Sequence, residues 1–221
     1  MNSLLQRAPG FWVPYLLLLI AGLTLQAGIG NDQITLSINA VSNTGLDLAA
    51  EAFTLLGDGK TTLVLFVILL FVGVGKAVSA LAITNLCGLV VQLMKRQLYA
   101  GLVRPAVVFA KHLPALHFVP GVRIYYLETF PSGHTTTAFS MFLLLAMYTS
   151  KRWLQGLYLL IAVGVGWSRV YLAEHFFSDV LAASVLGSVV TVIIVYFVDR
   201  SGLPGKKWFS VSLANRLSFK H

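Results

Sequence analysis

Residues 61–94 read TTLVLFVILLFVGVGKAVSALAITNLCGLVVQLM, and whether this run crosses a membrane once or twice decides the fold. A membrane-spanning helix needs about 20 apolar residues, so the run is too long for a single crossing. Gly73-Val74-Gly75-Lys76 interrupts it where a tight turn would join two antiparallel helices, giving expected crossings at 61–75 and 77–94. Further apolar runs lie at 11–28, 134–150, 153–168 and 176–198, which brings the expected number of crossings to six. The first run follows Arg7 and ends in Leu25-Gln26-Ala27-Gly28. Its length, and the lack of a clear small-residue cleavage pattern after it, favour a retained crossing over a cleaved signal peptide.

The composition agrees with that reading. Of 221 residues, 57% are hydrophobic and only 11% charged, which is a membrane composition, and the six helical crossings make the expected fold an all-α integral membrane protein. The formal charge of +8 could suggest nucleic acid. The basic residues, however, are scattered between apolar runs and do not gather along one soluble surface, so nucleic-acid binding is not expected. Cys87 is alone inside an apolar run, where it can form no internal disulfide and serves packing. No internal repeat divides the chain, and residues 1–221 are read as one domain.

Six crossings put both termini on one side, and charge selects the side. Arg7, Lys76, Lys151, Arg152, Arg200, Lys206, Lys207, Arg216 and Lys220 would share one face with Asp199 as its only acid. The opposite face would carry Lys60, Lys95, Arg96, Arg104, Lys111, Arg123 and Arg169, diluted by seven acids from Asp32 to Asp179. The positive-inside tendency makes the first face cytoplasmic and the second periplasmic or extracellular. Residues 31–60 are too polar to span. They contain Ala49-Ala50-Glu51-Ala52-Phe53 and predict short amphipathic helices at the outer interface, with a turn at Gly57-Asp58-Gly59. The basic tail, 199–221, carries Trp208 and Phe209 and reads as a contact for anionic lipids.

Two short stretches on the outer face carry the chemistry. In the first, His175 and Asp179 are four residues apart, so on a helix the carboxylate can hold one imidazole nitrogen while the other points outward as a nucleophile. Such a pair can also simply satisfy two polar groups at a helix end. Arg169, placed past the outer end of the fifth crossing, would reach the same mouth and hold phosphate oxygens. In the second stretch, Phe130-Pro131-Ser132-Gly133-His134-Thr135 directly precedes the fourth crossing. Gly133 allows a close backbone turn, and amides at the helix start could bind an anion beside the Ser132 hydroxyl, although Ser-Gly before a helix can also be only a cap. His134 could then donate a proton to a departing oxygen while His175 attacks phosphorus from the other side.

With these residues the chain resembles the type 2 phosphatidic acid phosphatase (PAP2) superfamily, the branch that includes bacterial phosphatidylglycerophosphate and undecaprenyl-pyrophosphate phosphatases. Pro131-Ser132-Gly133-His134 matches its central signature, and Ser168-Arg169-x5-His175-x3-Asp179 matches its last. The resemblance extends over about residues 10–198 and implies a six-helix membrane bundle. It also implies a metal- and cofactor-independent phosphatase of lipid phosphates or pyrophosphates, set in a bacterial inner membrane with its site facing outward. Carried over residue by residue, it implies that His175 is the phosphoryl acceptor, Asp179 its partner and His134 the acid. Arg169, Ser132 and Gly133 would bind phosphate, as would Arg104. The first signature is incomplete: Arg104-Pro105 is intact, but Gln97 stands seven residues earlier where the family has lysine. Lys95 or Arg96 would take that lysine's part. The implied substrates are phosphatidylglycerophosphate, undecaprenyl pyrophosphate, phosphatidate or lipid A, and a lipid-linked phosphotransferase or a transporter are the alternatives.

Two lesser clusters have a plainer reading. His112 and His117 share an outer loop without evident carboxylate or cysteine neighbours, and are read as loop polarity, not a metal site. Phe118, Tyr125, Tyr126 and Phe130 would line a lipid entrance or form an interfacial aromatic belt.

Overall fold

The structure, a computed structural model, describes residues 2–110 and 116–214. The chain is all-α, and its only extended pairing among the described residues is a bridge between Val103 and Leu127. The helices are α1 (Asn2–Arg7), α2 (Pro9–Ile29), α3 (Asn31–Ala40), α4 (Thr44–Leu56), α5 (Gly59–Val72) and α6 (Val74–Leu93). After a π-helical turn at Met94–Leu98 follow α7 (Pro105–Val108), α8 (Gly133–Met147), α9 (Arg152–Tyr171), α10 (Phe177–Arg200) and α11 (Lys207–Ser210). The six apolar runs of the sequence thus correspond to α2, α5, α6, α8, α9 and α10. Among the described residues, length and apolarity alone make three segments able to cross a membrane: Pro9–Ile29, Val74–Leu98 and Phe177–Arg200. A fourth is added if α4 and α5, bent by 56° at their junction, count as one broken span. Helices α5 and α8, with 14 and 15 residues, are shorter than the roughly 20 that a perpendicular span requires.

The bundle is built for an apolar solvent. Leu17, Ile20, Leu63, Val64, Leu160 and Phe197 are exposed on its outer surface, while Thr135, Thr136, Ser140, Ser184, Ser188 and Thr191 are buried between helices. In water this arrangement would expose oily surface without gain; in lipid, where apolar contact between helices offers no advantage, small residues and hydroxyls hold the interfaces together. Helix α8 is the central element, packing against α6, α9 and α10. Its junction with α10 depends on Gly187, where a Cβ would come within 2.4 Å of the Thr136 carbonyl oxygen. Thr191 Oγ1 donates to the Ser140 carbonyl across the same junction at 3.1 Å.

Hydrogen bonds sort the loops into two ends. At one end the Arg7–Asp199 ion pair at 2.8 Å ties the N-terminal helix to the end of α10, and Gln155 Nε2 donates to the Arg7 carbonyl. At this end, too, the Val74 amide donates to the Val211 carbonyl at 2.8 Å, so the tail is folded back onto the start of α6. Arg7, Lys76, Lys151, Arg152, Arg200, Lys206 and Lys207 lie in these end segments, whereas Arg216 and Lys220 fall outside the described residues. Phe209 is half-buried in the fold, leaving Trp208 as the exposed aromatic of the expected lipid contact.

The opposite end holds α3, α4, the 99–132 connection and the α9–α10 junction. Helices α3 and α4 fall in the polar segment as expected, α4 capped by Asn43, whose side chain accepts from the Leu46 amide at 2.9 Å. Lys111 and His112 lie outside the described residues. His117, expected to lack a carboxylate neighbour, instead has one. Its Nε2 lies 2.8 Å from Asp47 Oδ1, which also accepts from the Tyr171 hydroxyl at 2.5 Å. Asn39 completes this tie, accepting from the His117 amide and donating to the carbonyls of His117 and Tyr171. These five contacts fasten α3, α4 and the outer loop onto the end of α9.

Candidate active site

Two features of the α9–α10 junction differ from the sequence expectation. Arg169 does not lie past the fifth crossing but in the last turn of α9, which continues to Tyr171. The helix stops where Ala173 adopts φ = +55°, a left-handed conformation unfavourable for a residue with a Cβ. The reversal lets the Arg169 carbonyl accept from the amides of both Glu174 and His175 at 3.1 Å. Nor are His175 and Asp179 on the same helix, since His175 precedes α10 and Asp179 lies in its first turn. They meet nonetheless: His175 Nδ1 lies 3.3 Å from Asp179 Oδ2.

Asp179 does more than hold the histidine. Its Oδ2 accepts from the Phe176 amide at 3.0 Å, capping α10, and from the Thr129 hydroxyl. An ionised carboxylate only accepts, so Nδ1 of His175 carries the proton and Nε2 keeps its lone pair. His175 is 2% exposed. Burial first, then the nearby charges of Arg104, Arg169 and Lys95, hold its pKa well below 6.5, so the imidazole is neutral at physiological pH.

Opposite this pair stand the cations. Arg104 precedes Pro105 at the start of α7, and its backbone is tied down when its amide donates to the Tyr126 carbonyl at 2.9 Å. Its Nε donates to the Leu127 carbonyl at 2.8 Å, and Nη1 donates to both the carbonyl and the carboxylate of Glu174. Arg169 donates from Nη1 to the Thr54 hydroxyl of α4, and its Nη2 lies 3.4 Å from Glu174 Oε2. Arg169 Nε is buried without a hydrogen-bond partner. Lys95 and Arg96 part company in the π turn: Lys95 is 8% exposed, within electrostatic reach of Arg104, Asp179 and Arg169, whereas Arg96 is exposed.

The Pro131–His134 stretch closes the site from the α8 side. Ser132 is the N-cap of α8, its Oγ accepting from the Thr135 amide at 3.4 Å and from the Thr135 hydroxyl at 2.9 Å. The hydroxyl therefore caps the helix, one of its two sequence readings, and its amide donates to the Asp179 carbonyl at 3.4 Å, joining the starts of α8 and α10. Gly133 and His134 line a cavity of about 280 Å³ with Asp58, Gly88, Val91 and Thr137. The α4–α5 turn comes so near that a Cβ on Gly57 would lie 2.9 Å from the His134 carbonyl oxygen. His175 lies within electrostatic reach of His134, and both histidines feel Arg169, Arg104 and Lys95.

The structure thus brings together His134, His175, Asp179, Arg104, Arg169, Ser132, Gly133 and Lys95 at one end of the bundle, without Arg96. Residues 73–203 match the PAP2 superfamily. The chain belongs to the PAP2 superfamily. Among solved structures, this PAP2 chain is similar to LpxE of Aquifex aeolicus, with 23% identity and a TM-score of 0.66, over 75% of this chain and 94% of that one. It is also similar to a transmembrane PAP2-type phosphatidylglycerolphosphate phosphatase from Bacillus subtilis, with 24% identity and a TM-score of 0.61, over 84% and 94% of the two chains. A curated Drosophila melanogaster protein named "Putative phosphatidate phosphatase" is 35% identical over 82 residues, 32% of this chain. The match spans about a fifth (22%) of that relative's length.

Three contributors were not singled out in the sequence. Thr54 lies in a stretch that reads as amphipathic helix and Thr129 in one that reads as an aromatic lipid entrance or belt, and no local pattern marks a hydroxyl that meets its partner across 115 or 50 residues of chain. Glu174 had a usable signal: it adjoins His175, and an acid between Arg169 and the His175–Asp179 pair needs a cationic partner if buried.

Proposed function

We propose that this PAP2 chain is a membrane lipid phosphatase, cleaving a phosphomonoester or pyrophosphate head group through a phosphohistidine. The observation that carries this is the meeting of a neutral, buried His175 with two guanidiniums, one of which keeps a buried Nε without a partner. An unsatisfied buried donor is costly, and an oxygen-rich anion would satisfy it. In the first step the Nε2 lone pair of His175 forms a bond to phosphorus as the bond to the lipid oxygen breaks, and His134 gives that oxygen its proton. In the second, neutral His134 takes a proton from water as its oxygen attacks phosphorus, and the P–N bond breaks to free inorganic phosphate and neutral His175. Arg104, Arg169 and Lys95 balance the charge on the phosphoryl oxygens, with the Gly133 amide at the start of α8 as a further donor. Every component is a protein group or water, so the reaction needs no metal or cofactor.

A lipid tail has a path to this point. The cavity at His134 shares Gly59, Gly88 and Thr137 with a neighbouring one, lined also by Leu63, Phe66, Leu81 and Met141. The two follow α5, α6 and α8 away from His134, placing the leaving group beside its proton donor. Six crossings with cytoplasmic termini and an outward-facing site complete the reading, motivated by the sorting of basic residues between the two ends. The basic tail would rest on anionic lipid, and the membrane would be a bacterial inner membrane. The names of the similar proteins make phosphatidylglycerophosphate and phosphatidate the first substrates to try, with lipid A and undecaprenyl pyrophosphate beside them.

The purified protein in detergent is expected to release phosphate from at least one of these four lipids, with turnover unchanged by extensive chelation. No release from any of them, or activity lost to chelator and restored by a divalent cation, would refute this reading. The same preparation gives a pH prediction. Because burial and three cations hold His175 below its ordinary pKa, kcat/KM should show no loss of nucleophile as pH falls through 6.5, its acid limb lying lower. An acid limb centred at or above 6.5 would contradict the neutral, buried nucleophile.

A further inference from the structure

Glu174 is 3% exposed, next in sequence to His175, and its Oε2 lies between the two arginines assigned to phosphate. That oxygen accepts from Arg104 Nη1 and is 3.4 Å from Arg169 Nη2. The neighbouring carbonyl of Glu174 also accepts from Arg104 Nη1, at 2.9 Å. Burial raises the carboxyl pKa, and the charges of Arg169 and Arg104 oppose that rise. The arginine donors that a phosphoryl group needs are therefore partly engaged by an internal anion.

We propose that Glu174 is a positioning residue that competes with phosphate for Arg104 and Arg169. It orients both guanidiniums in the empty site, yields donors when the substrate's phosphoryl oxygens arrive, and takes them back as inorganic phosphate leaves. The reasoning is electrostatic. A dianion entering a pocket with Arg104, Arg169 and Lys95 would be held tightly, and a second carboxylate beside Asp179 removes part of that attraction. A weaker ground-state grip on phosphate costs little in the transition state if the carboxylate has moved off the arginines by then, and it keeps product from lingering. The proposal rests on the phosphatase reading above and adds the residue that sets how tightly that site holds its product.

The test is product inhibition by inorganic phosphate, with kcat and KM measured alongside, on the full chain in detergent. Glu174→Gln keeps the size and an acceptor oxygen but removes the charge. It should lower the inhibition constant for phosphate by about tenfold or more and lower KM and kcat together, since the added hold slows release. Glu174→Asp, whose shorter carboxylate cannot span both guanidiniums, should shift the constant the same way by a smaller factor and guards against a Gln variant that fails to fold. If Glu174 only braces the arginines, either substitution would loosen them, and the inhibition constant and KM would rise; that result, or an unchanged constant in both variants, overturns the proposal. Wild-type protein that neither hydrolyses lipid phosphates nor binds inorganic phosphate would instead bring down the phosphatase reading on which it stands.

Discussion

Replacing His175 with asparagine is expected to lower phosphate release by roughly 10⁴-fold or more, the scale of loss when the nucleophile of a cooperating unit is removed. Asparagine suits the test because its amide nitrogen can donate to Asp179 much as Nδ1 does across 3.3 Å in the wild type, leaving α10 capped and the junction with α9 in place. What disappears is the Nε2 lone pair. A wild-type reaction quenched during turnover with labelled substrate should therefore carry an acid-labile phosphoryl group on the protein, and the variant should carry none. Turnover within tenfold of wild type in a folded His175→Asn protein would remove the covalent step from the mechanism. Asp179→Asn is a less clean experiment, since that carboxylate also accepts from Thr129 and from the Phe176 amide, and its loss would mix chemistry with the fit of α10 against α8.

The parts of this protein visible in its sequence are those that depend on length and composition. The six apolar runs coincide with α2, α5, α6, α8, α9 and α10, because an uninterrupted apolar segment best satisfies its own backbone groups as a helix. Boundaries shifted where a local conformation intervened. Helix α9 runs to Tyr171 because the chain reverses only at Ala173, and no glycine or proline marks that position. Of the site, the two histidines, Asp179 and Arg169 are legible because their spacing matches a pattern, and Arg104 because its pairing with Pro105 survives in an otherwise incomplete one. Thr54, Thr129 and the Asp47–His117 tie are not, because each joins elements distant in the chain, and only packing brings them together. The sequence leaves the choice between Lys95 and Arg96 open for a related reason. It depends on the rotation of one turn, which periodicity from an ideal helix cannot supply.

That rotation supports the second large effect. The Tyr99 amide bonds to the Met94 carbonyl five residues back, at 2.8 Å, and the wider turn carries an extra residue between the end of α6 and Arg104. Lys95, nine residues before Arg104, is thereby buried near the guanidiniums, and Arg96 is left exposed. Alanine at Lys95 is expected to reduce turnover by about 10²- to 10³-fold, the cost of removing one preorganised donor from developing negative charge. Arg104→Ala and Arg169→Ala should lose at least as much, since each guanidinium offers several donors and also balances Glu174. Arg96→Ala should stay within about twofold of wild type, as an exposed substitution away from packed groups does. All four variants are to be compared on one detergent-solubilised lipid phosphate, after confirming that each is folded. A severe loss in Arg96→Ala with near-normal Lys95→Ala would show that the π turn presents the other cation to the substrate. Near-normal rates in both would leave the site with two arginines as its only phosphate-binding cations and make Lys95 a buried charge held by Asp179 and Glu128 alone.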